Sequence, residues 1–286
     1  MTDRWFTASD GTRLWYEIHG EPGDGPTLLL ADGIGCDGYI WRYALPALTP
    51  RGQVIHLHMR GHGLSDPPAD PDRARIQDHA DDWRELMDAL GITDAVAIGH
   101  SMGVQVCLEL WRRDGARIKG LVLMAGSYGH PLATFRDGHL AERILPVIQR
   151  VVRLGGRPLA GLWRRGFRLP LASYIALMTE MHPDLTRRAD VTRYLDHMAQ
   201  MDPGVFFTML GEAGRHSAGD WLAQIDVPVL VIAGENDQFT PARLSAEMAE
   251  RIPDATLLTV EDGAHACPIE HPTQVNLAVQ DFLDRL

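Results

Sequence analysis

Ala95-Val96-Ala97-Ile98-Gly99-His100-Ser101-Met102-Gly103-Val104-Gln105-Val106 is the stretch on which the fold turns. A short apolar run ends in G-x-S-x-G, and an amphipathic segment, Met102 to Arg113, begins at once. A serine between a strand and a helix sits on a tight turn that lifts its hydroxyl above the sheet edge. Side chains at the two flanking positions would collide with the neighbouring strand and helix, and Gly99 and Gly103 remove them. The helix that follows points its N-terminus at the serine, so the backbone N–H of Met102 can face a developing oxyanion.

Working outward, similar apolar runs bounded by Gly and Pro recur at Thr27 to Leu30, Val54 to Leu57, Gly120 to Met124, Val229 to Ala233 and Thr256 to Val260. Each reads as a strand buried on both faces. Helical periodicity appears between most of them, at Gln77 to Leu90, Pro241 to Arg251 and Thr273 to Leu286. Alternating strand and helix imply an α/β fold: a mostly parallel, doubly wound sheet with helices on both faces. Before it, Trp5 to Thr7 and Leu14 to Ile18, joined across Asp10-Gly11, predict an opening antiparallel hairpin.

The alternation stops after Met124 and resumes at Asp226. The intervening segment predicts helices at Leu140 to Leu154, Leu171 to Met181, Val191 to Met201 and Val205 to Gly214, broken by Pro146, Pro158, Pro170, Pro183 and Pro203. The expected organisation is a core of residues 1–128 and 217–286 interrupted by a helical lid at 129–216; a separate helical domain is the alternative.

Composition narrows the class. Forty-five per cent hydrophobic and 23% charged residues are globular values, and a net charge of −11 argues against a nucleic-acid partner. The basic residues are mostly Arg and are concentrated in the insertion (Arg150, Arg153, Arg157, Arg164, Arg165, Arg168), which reads as a solvated face. An anion site is the sharper alternative. Cys36, Cys107 and Cys267 cannot form a paired framework, and reduced thiols in a cytoplasmic protein are expected. The start of the chain, Met1 to Phe6, lacks a secretory apolar stretch, and the apolar runs are too short for membrane insertion. Oligomeric state is not legible.

A serine needs a base, itself oriented by a third group. Asp237 and Glu235 both follow the strand Val229 to Ala233. His265 follows the strand ending at Val260, and His271 lies six residues on. Among 13 histidines, loop position favours His265. His56, His58 and His62 cluster near one strand end without an accompanying carboxylate pattern, so no metal site is expected.

At this point the chain resembles the α/β-hydrolase fold superfamily, in particular its lid-bearing serine esterase, perhydrolase and C–C hydrolase branch. Gly99 to Gly103 resembles the family's nucleophile elbow, Arg60-Gly61-His62-Gly63-Leu64-Ser65 its R-G-x-G-x-S loop, Gly234-Glu235-Asn236-Asp237 its acid loop and Gly263-Ala264-His265 its histidine loop. The resemblance runs from Trp5 to Leu286, the insertion excepted. It implies Ser101, Asp237 and His265 as a catalytic triad, with the backbone N–H groups of Ile34 and Met102 as the oxyanion hole. No cofactor is required. Two positions depart from the pattern: Asp32-Gly33 replaces His-Gly in the oxyanion loop, and His58-Met59 precedes Arg60. A carboxylate at Asp32 would oppose a developing negative charge unless it is held by donors and turned away, or it could position water or substrate.

The resulting expectation is a hydrolase of carboxylic esters, lactones or thioesters of moderately hydrophobic acids, its partner a small-molecule ester-like substrate. A C–C bond hydrolase or cofactor-free perhydrolase could use the same triad, and a hydrolase-fold receptor with negligible turnover comes from another class. Met178, Met181 and Met209 on the insertion are candidates for the substrate pocket, because flexible thioethers suit an adaptable apolar site.

Overall fold

The computed structural model describes residues 4–23, 25–130 and 140–286, the side chains of residues 140–142 and 157 excepted. Residues 1–3, the stretch 131–139 at the start of the insertion, and the Arg157 side chain lie outside the described residues. β1 (Trp5–Thr7) and β2 (Arg13–His19) form the predicted hairpin, and Gly11 takes the φ of +86° that the turn demands. β3 (Thr27–Ala31), β4 (Val54–Leu57), β5 (Ala95–His100), β6 (Ile118–Met124), β7 (Val229–Gly234) and β8 (Ala255–Val260) run parallel to one another.

Among the described residues these strands make one eight-stranded sheet in the order β1-β2-β4-β3-β5-β6-β7-β8. β4 lies on one side of β3 and β5 on the other. The lateral order of strands therefore reverses at β3, and the loops leaving β3 and β5 diverge into a crevice at the carboxyl edge, the usual ligand position in such sheets. One expected feature fails. β8 was read as buried on both faces, but it is an edge strand with mostly solvated side chains, Leu257 being 42% exposed.

Alternate side chains of the strands feed two cores. On one face Leu29, Ala31, Ala95 and Ala97 pack with Trp83, Leu86 and Met87 of α2 (Ile76–Leu90) and Val104 and Leu108 of α3 (Met102–Asp114). On the other, Leu28, Leu30, Val96 and Ile98 pack with Trp41 and with Val275, Val279 and Phe282 of the final helix, Pro272–Leu283.

Four helices make up most of the described part of the insertion. α4 spans Leu140–Phe167, α5 Pro170–Thr179, α6 Arg188–Gln200 and α7 Pro203–Arg215. The short α1 (Leu45–Leu48) lies in the loop between β3 and β4. Pro170 and Pro203 open their helices, where the missing N–H costs nothing. Pro146 does not break α4 as expected; the interruption falls at Gly156, with φ +48° and ψ −143°, and Pro158 begins the next turns. α7 belongs to the first core through Val205, Met209 and Ala213, whereas α5 and α6 belong to the second through Ala176, Val191, Tyr194, Leu195 and Met198. The insertion thus sits astride the carboxyl edge of the sheet. No helix among the described residues is long and apolar enough to cross a membrane.

Candidate active site

Ser101 caps α3 with φ +55° and ψ −119°, a conformation that L-residues rarely adopt. Local packing enforces it. A Cβ on Gly99 would lie 2.8 Å from the Cys107 Sγ and closer still to the Gly103 carbonyl, and one on Gly103 would strike the Ala31 carbonyl. Both glycines are therefore required by close approach of backbone.

His265 Nε2 lies 2.9 Å from Ser101 Oγ, and His265 Nδ1 lies 2.8 Å from Asp237 Oδ2. Asp237 is itself held. Its Oδ1 accepts from the N–H groups of Phe239 (2.8 Å) and Thr240 (2.9 Å), and the Thr240 hydroxyl reaches Oδ2 at 2.9 Å. These bonds leave Oδ2 aimed at the imidazole, which fixes the His265 proton on Nδ1 and the lone pair on Nε2 toward Ser101. Burial pulls the His265 pKa down, but the Asp237 carboxylate, with Glu180 and Glu270 further out, more than offsets it and the net shift is upward. Glu235 lies elsewhere: its Oε2 accepts from the Asp262 N–H at 3.1 Å on the exposed side of the loop. His271, the other histidine weighed from sequence, is at the start of the last helix.

Ser101 and His265 open into a cavity of about 240 Å³, lined also by Ile34, Cys36, Tyr39, Met102, Glu180, Tyr194, Phe206 and Leu210. Among the described residues the backbone N–H groups of Ile34 and Met102 have no acceptor within the protein, and both residues line this cavity. Gly33 lets the β3 loop come this close, since a Cβ there would lie 2.8 Å from the Ser101 Cβ. The loop is tied down from behind by His62, whose Nε2 accepts from the Gly35 N–H at 3.0 Å while Nδ1 donates to the Arg60 carbonyl at 3.0 Å. Burial holds this imidazole neutral, at a pKa of about 4.

Asp32 is turned away from the cavity. Fully buried, it accepts from Trp41 Nε1 (2.6 Å), His56 Nε2 (2.8 Å) and the Gly38 N–H (3.1 Å). Burial opposes its ionisation, but the charge and hydrogen bond of His56 hold its pKa below the usual carboxylate value. His56 responds in kind: burial would lower it, yet Asp32 and Glu17 raise it to about 9. The buried negative charge beside the oxyanion loop is thus matched by a buried positive one.

Spacing along the chain shows no carboxylate near these histidines, and the structure supplies two, Asp32 and Glu17. Glu17 is paired with His56 across the antiparallel β2–β4 ladder, and ligand atoms of Glu17, His56 and His58 lie within 4.8 Å of one another. The donors do not fit a metal. His56 Nε2 is committed to Asp32, and His58 Nδ1 accepts from the Leu64 N–H at 3.0 Å, so its proton sits on Nε2 and neither nitrogen offers a free lone pair.

The three methionines expected in the pocket are not among its lining residues. Met181 and Met209 are 2% and 0% exposed within the two cores, and Met178 is 49% exposed on the outer side of α5. Apolar composition does not tell which way a side chain turns: Met181 and Met209 turn into the cores and Met178 into solvent. Phe206 and Leu210 of α7 and Tyr194 of α6 take the places proposed for them. The described Arg side chains of the candidate cluster are solvated, Arg153 pairing with Asp72 at 3.1 Å.

A model of the alpha/beta hydrolase fold family matches residues 26–272. The chain belongs to the α/β-hydrolase fold family. It is a hydrolase of that family, 30% identical over 272 residues to RutD of Azorhizobium caulinodans, a protein named for carbamate hydrolysis, with 94% of each chain covered. It is also 30% identical over 254 residues to the magnesium-chelatase 30 kDa subunit of Rhodobacter capsulatus, covering 88% of this chain and 84% of that one. Among solved structures, a thermophilic esterase from Thermogutta terrifontis superposes with a TM-score of 0.76 at 26% identity, over 100% of this chain and 99% of that one.

Proposed function

We propose that this α/β-hydrolase cleaves carboxylic esters, lactones and thioesters included, through an acyl-enzyme on Ser101. The observation that carries the reading is the unbroken Asp237–His265–Ser101 chain, with bonds of 2.8 and 2.9 Å, opening on a cavity lined by two residues with unpaired backbone N–H groups. Ser101 Oγ attacks the substrate carbonyl as its proton passes to His265 Nε2. The imidazolium is stabilised by Asp237, and the N–H groups of Ile34 and Met102 receive the oxyanion, each worth about 3–4 kcal/mol of barrier. His265 then protonates the leaving oxygen or sulfur, the acyl group stays on Ser101, and the same base activates water for deacylation.

In this reading the insertion at 129–216 is the lid, its residues Tyr194, Phe206 and Leu210 shaping an apolar site. A cavity of about 240 Å³ lies just below the usual range of ligand pockets, roughly 300–1,000 Å³, and favours compact substrates. The likeness to a protein named for carbamate hydrolysis adds carbamates to the classes worth testing, since their carbonyl is open to the same attack. The partner is a small molecule in the cytoplasm.

The test is a panel of p-nitrophenyl esters, lactones, acyl thioesters and carbamates on wild type and Ser101→Ala, with mass mapping of a serine-directed phosphonate. Turnover abolished by Ser101→Ala and a single adduct on Ser101 are expected. Full turnover in the variant, an adduct on another residue, or turnover slower than about one per hour across the whole panel overturns the proposal.

A further inference from the structure

The cavity beside Ser101 is apolar along α7, where Phe206, Leu210 and Ala213 face it, but its other end carries a carboxyl group that the reaction does not use. Glu180, just after α5, lines the cavity and accepts a hydrogen bond from the Tyr194 hydroxyl at 2.9 Å through Oε1. Its position is set by backbone as well, since its carbonyl accepts from the Ala266 N–H at 3.2 Å, next to His265. Among the described residues Oε2 has no hydrogen-bond partner, and no Arg or Lys pairs with the group. The cations of this flank are engaged elsewhere: Arg193 with Asp37 at 3.3 Å, Arg42 with Asp190, and Arg187 over the Tyr43 ring. Burial accordingly pushes the Glu180 pKa up, only partly countered by His265 and Tyr194.

Two phenol rings line the same cavity: Tyr39 and Tyr194, with ring centroids 5.8 Å apart and planes inclined at 47°. Among the described residues neither ring has a positive side chain over it. A carboxylate flanked by two phenol rings in a largely apolar cavity is the chemistry that recognises an ammonium group, through the charge and the negative ring faces together. It is also hostile to anions, because a second carboxylate placed there would be neither paired nor solvated.

We propose that Glu180, with the rings of Tyr39 and Tyr194, forms a cation-recognising subsite that selects substrates bearing an ammonium group. The proposal rests on Ser101 as the nucleophile and adds the substrate's charge. A bound cation supplies the charged partner Glu180 lacks. That benefit is available only to a substrate whose charged nitrogen reaches the subsite while its carbonyl lies between Ser101 and the two N–H groups.

Two isosteric pairs test this from either end of the scissile bond. Acetylthiocholine against 3,3-dimethylbutyl thioacetate places the charge on the leaving group; p-nitrophenyl 4-(trimethylammonio)butyrate against the 5,5-dimethylhexanoate places it on the acyl group. In wild type at least one cationic member should exceed its neutral isostere tenfold or more in kcat/KM. Glu180→Gln, which can keep the bond to Tyr194, should bring that ratio near one, the loss falling on the cationic member. The wild-type ratios need no variant, so they decide even if Glu180→Gln misfolds. Neutral members preferred in both pairs overturn the proposal, as does a preference that survives Glu180→Gln. So does an equal loss on both members, which would make Glu180 a positioning group for His265. Phosphonate labelling of Ser101 in the same samples separates failure of this subsite from failure of the serine mechanism.

Discussion

Replacing Asp237 by Asn keeps the shape of the acid loop and reverses one hydrogen bond. The two backbone N–H groups at Oδ1, from Phe239 at 2.8 Å and Thr240 at 2.9 Å, will hold the Asn carbonyl oxygen in that place. The amide nitrogen then takes the position of Oδ2, 2.8 Å from His265 Nδ1. Two donors cannot face each other at that distance. His265 must shift its proton to Nε2, where it points at Ser101 and leaves no lone pair to accept the serine proton. The loss should approach the roughly 10⁴-fold seen for the equivalent change in serine proteases, or about 5.5 kcal/mol at 1.36 kcal/mol per decade. The assay is kcat/KM on p-nitrophenyl acetate, with phosphonate labelling slowed in proportion and thermal unfolding confirming that the fold is kept. Glu235→Gln, which disturbs only the exposed bond to the Asp262 N–H, should change the rate less than threefold. An Asp237→Asn enzyme within tenfold of wild type, or a larger loss from Glu235→Gln, would refute the argument from proton placement.

Three further outcomes are expected. The base must be neutral, and the His265 pKa is raised above its ordinary 6.5, so kcat/KM should climb with pH through a midpoint above 6.5; a midpoint below 6 in the pH profile contradicts this. His62→Phe leaves the Gly35 N–H without its acceptor, at about 1–3 kcal/mol, and should lower kcat about 10- to 100-fold in steady-state kinetics with little change in KM; an unchanged kcat shows that the oxyanion loop holds without it. Phe206→Ala or Leu210→Ala should move the optimum along a series of esters from acetate to octanoate toward longer acids, at about 0.8 kcal/mol per methylene, whereas Met178→Ala should leave the kcat/KM profile unchanged.

Much of the site was readable because its groups are local to short motifs. Ser101, Asp237 and His265 each follow a strand, and a parallel sheet brings the carboxyl ends of its strands to one edge whatever the chain separation. What escaped depends on contacts between motifs. Thr240 braces Asp237 from within a turn that carries no pattern of its own. Glu17 meets His56 only because β2 runs antiparallel to β4, a register that spacing along the chain does not reveal. The charge at Asp32 looked like a threat to the oxyanion hole until Trp41, His56 and Gly38 were seen to absorb it. The insertion was the least legible. Its periodicity marks helices correctly, but an apolar stripe looks the same whether it covers a core or a cavity, so Met181 and Met209 were read as pocket and Glu180 passed unnoticed. β8 shows the same limit in a strand: Leu257 and Leu258 are apolar by composition, yet no ninth strand covers that edge among the described residues.

The way the insertion straddles the sheet edge bears on how this enzyme could diverge. α7 is seated in the interior beneath one face of the sheet, α5 and α6 in the interior beneath the other, and Trp163 of α4 ties the two together, donating to the Met198 carbonyl at 2.7 Å and packing against Phe206. A volume change at Leu210 propagates toward Met209 and α2, while one at Tyr194 propagates toward Met198 and Tyr39. Selection acting on the greasy wall of the site is therefore felt on the other flank wherever it touches Phe206, through Trp163, and the base feels that flank as well, because the Ala266 N–H beside His265 donates to the Glu180 carbonyl. A descendant that exchanges one half of its substrate has to keep both of these ties.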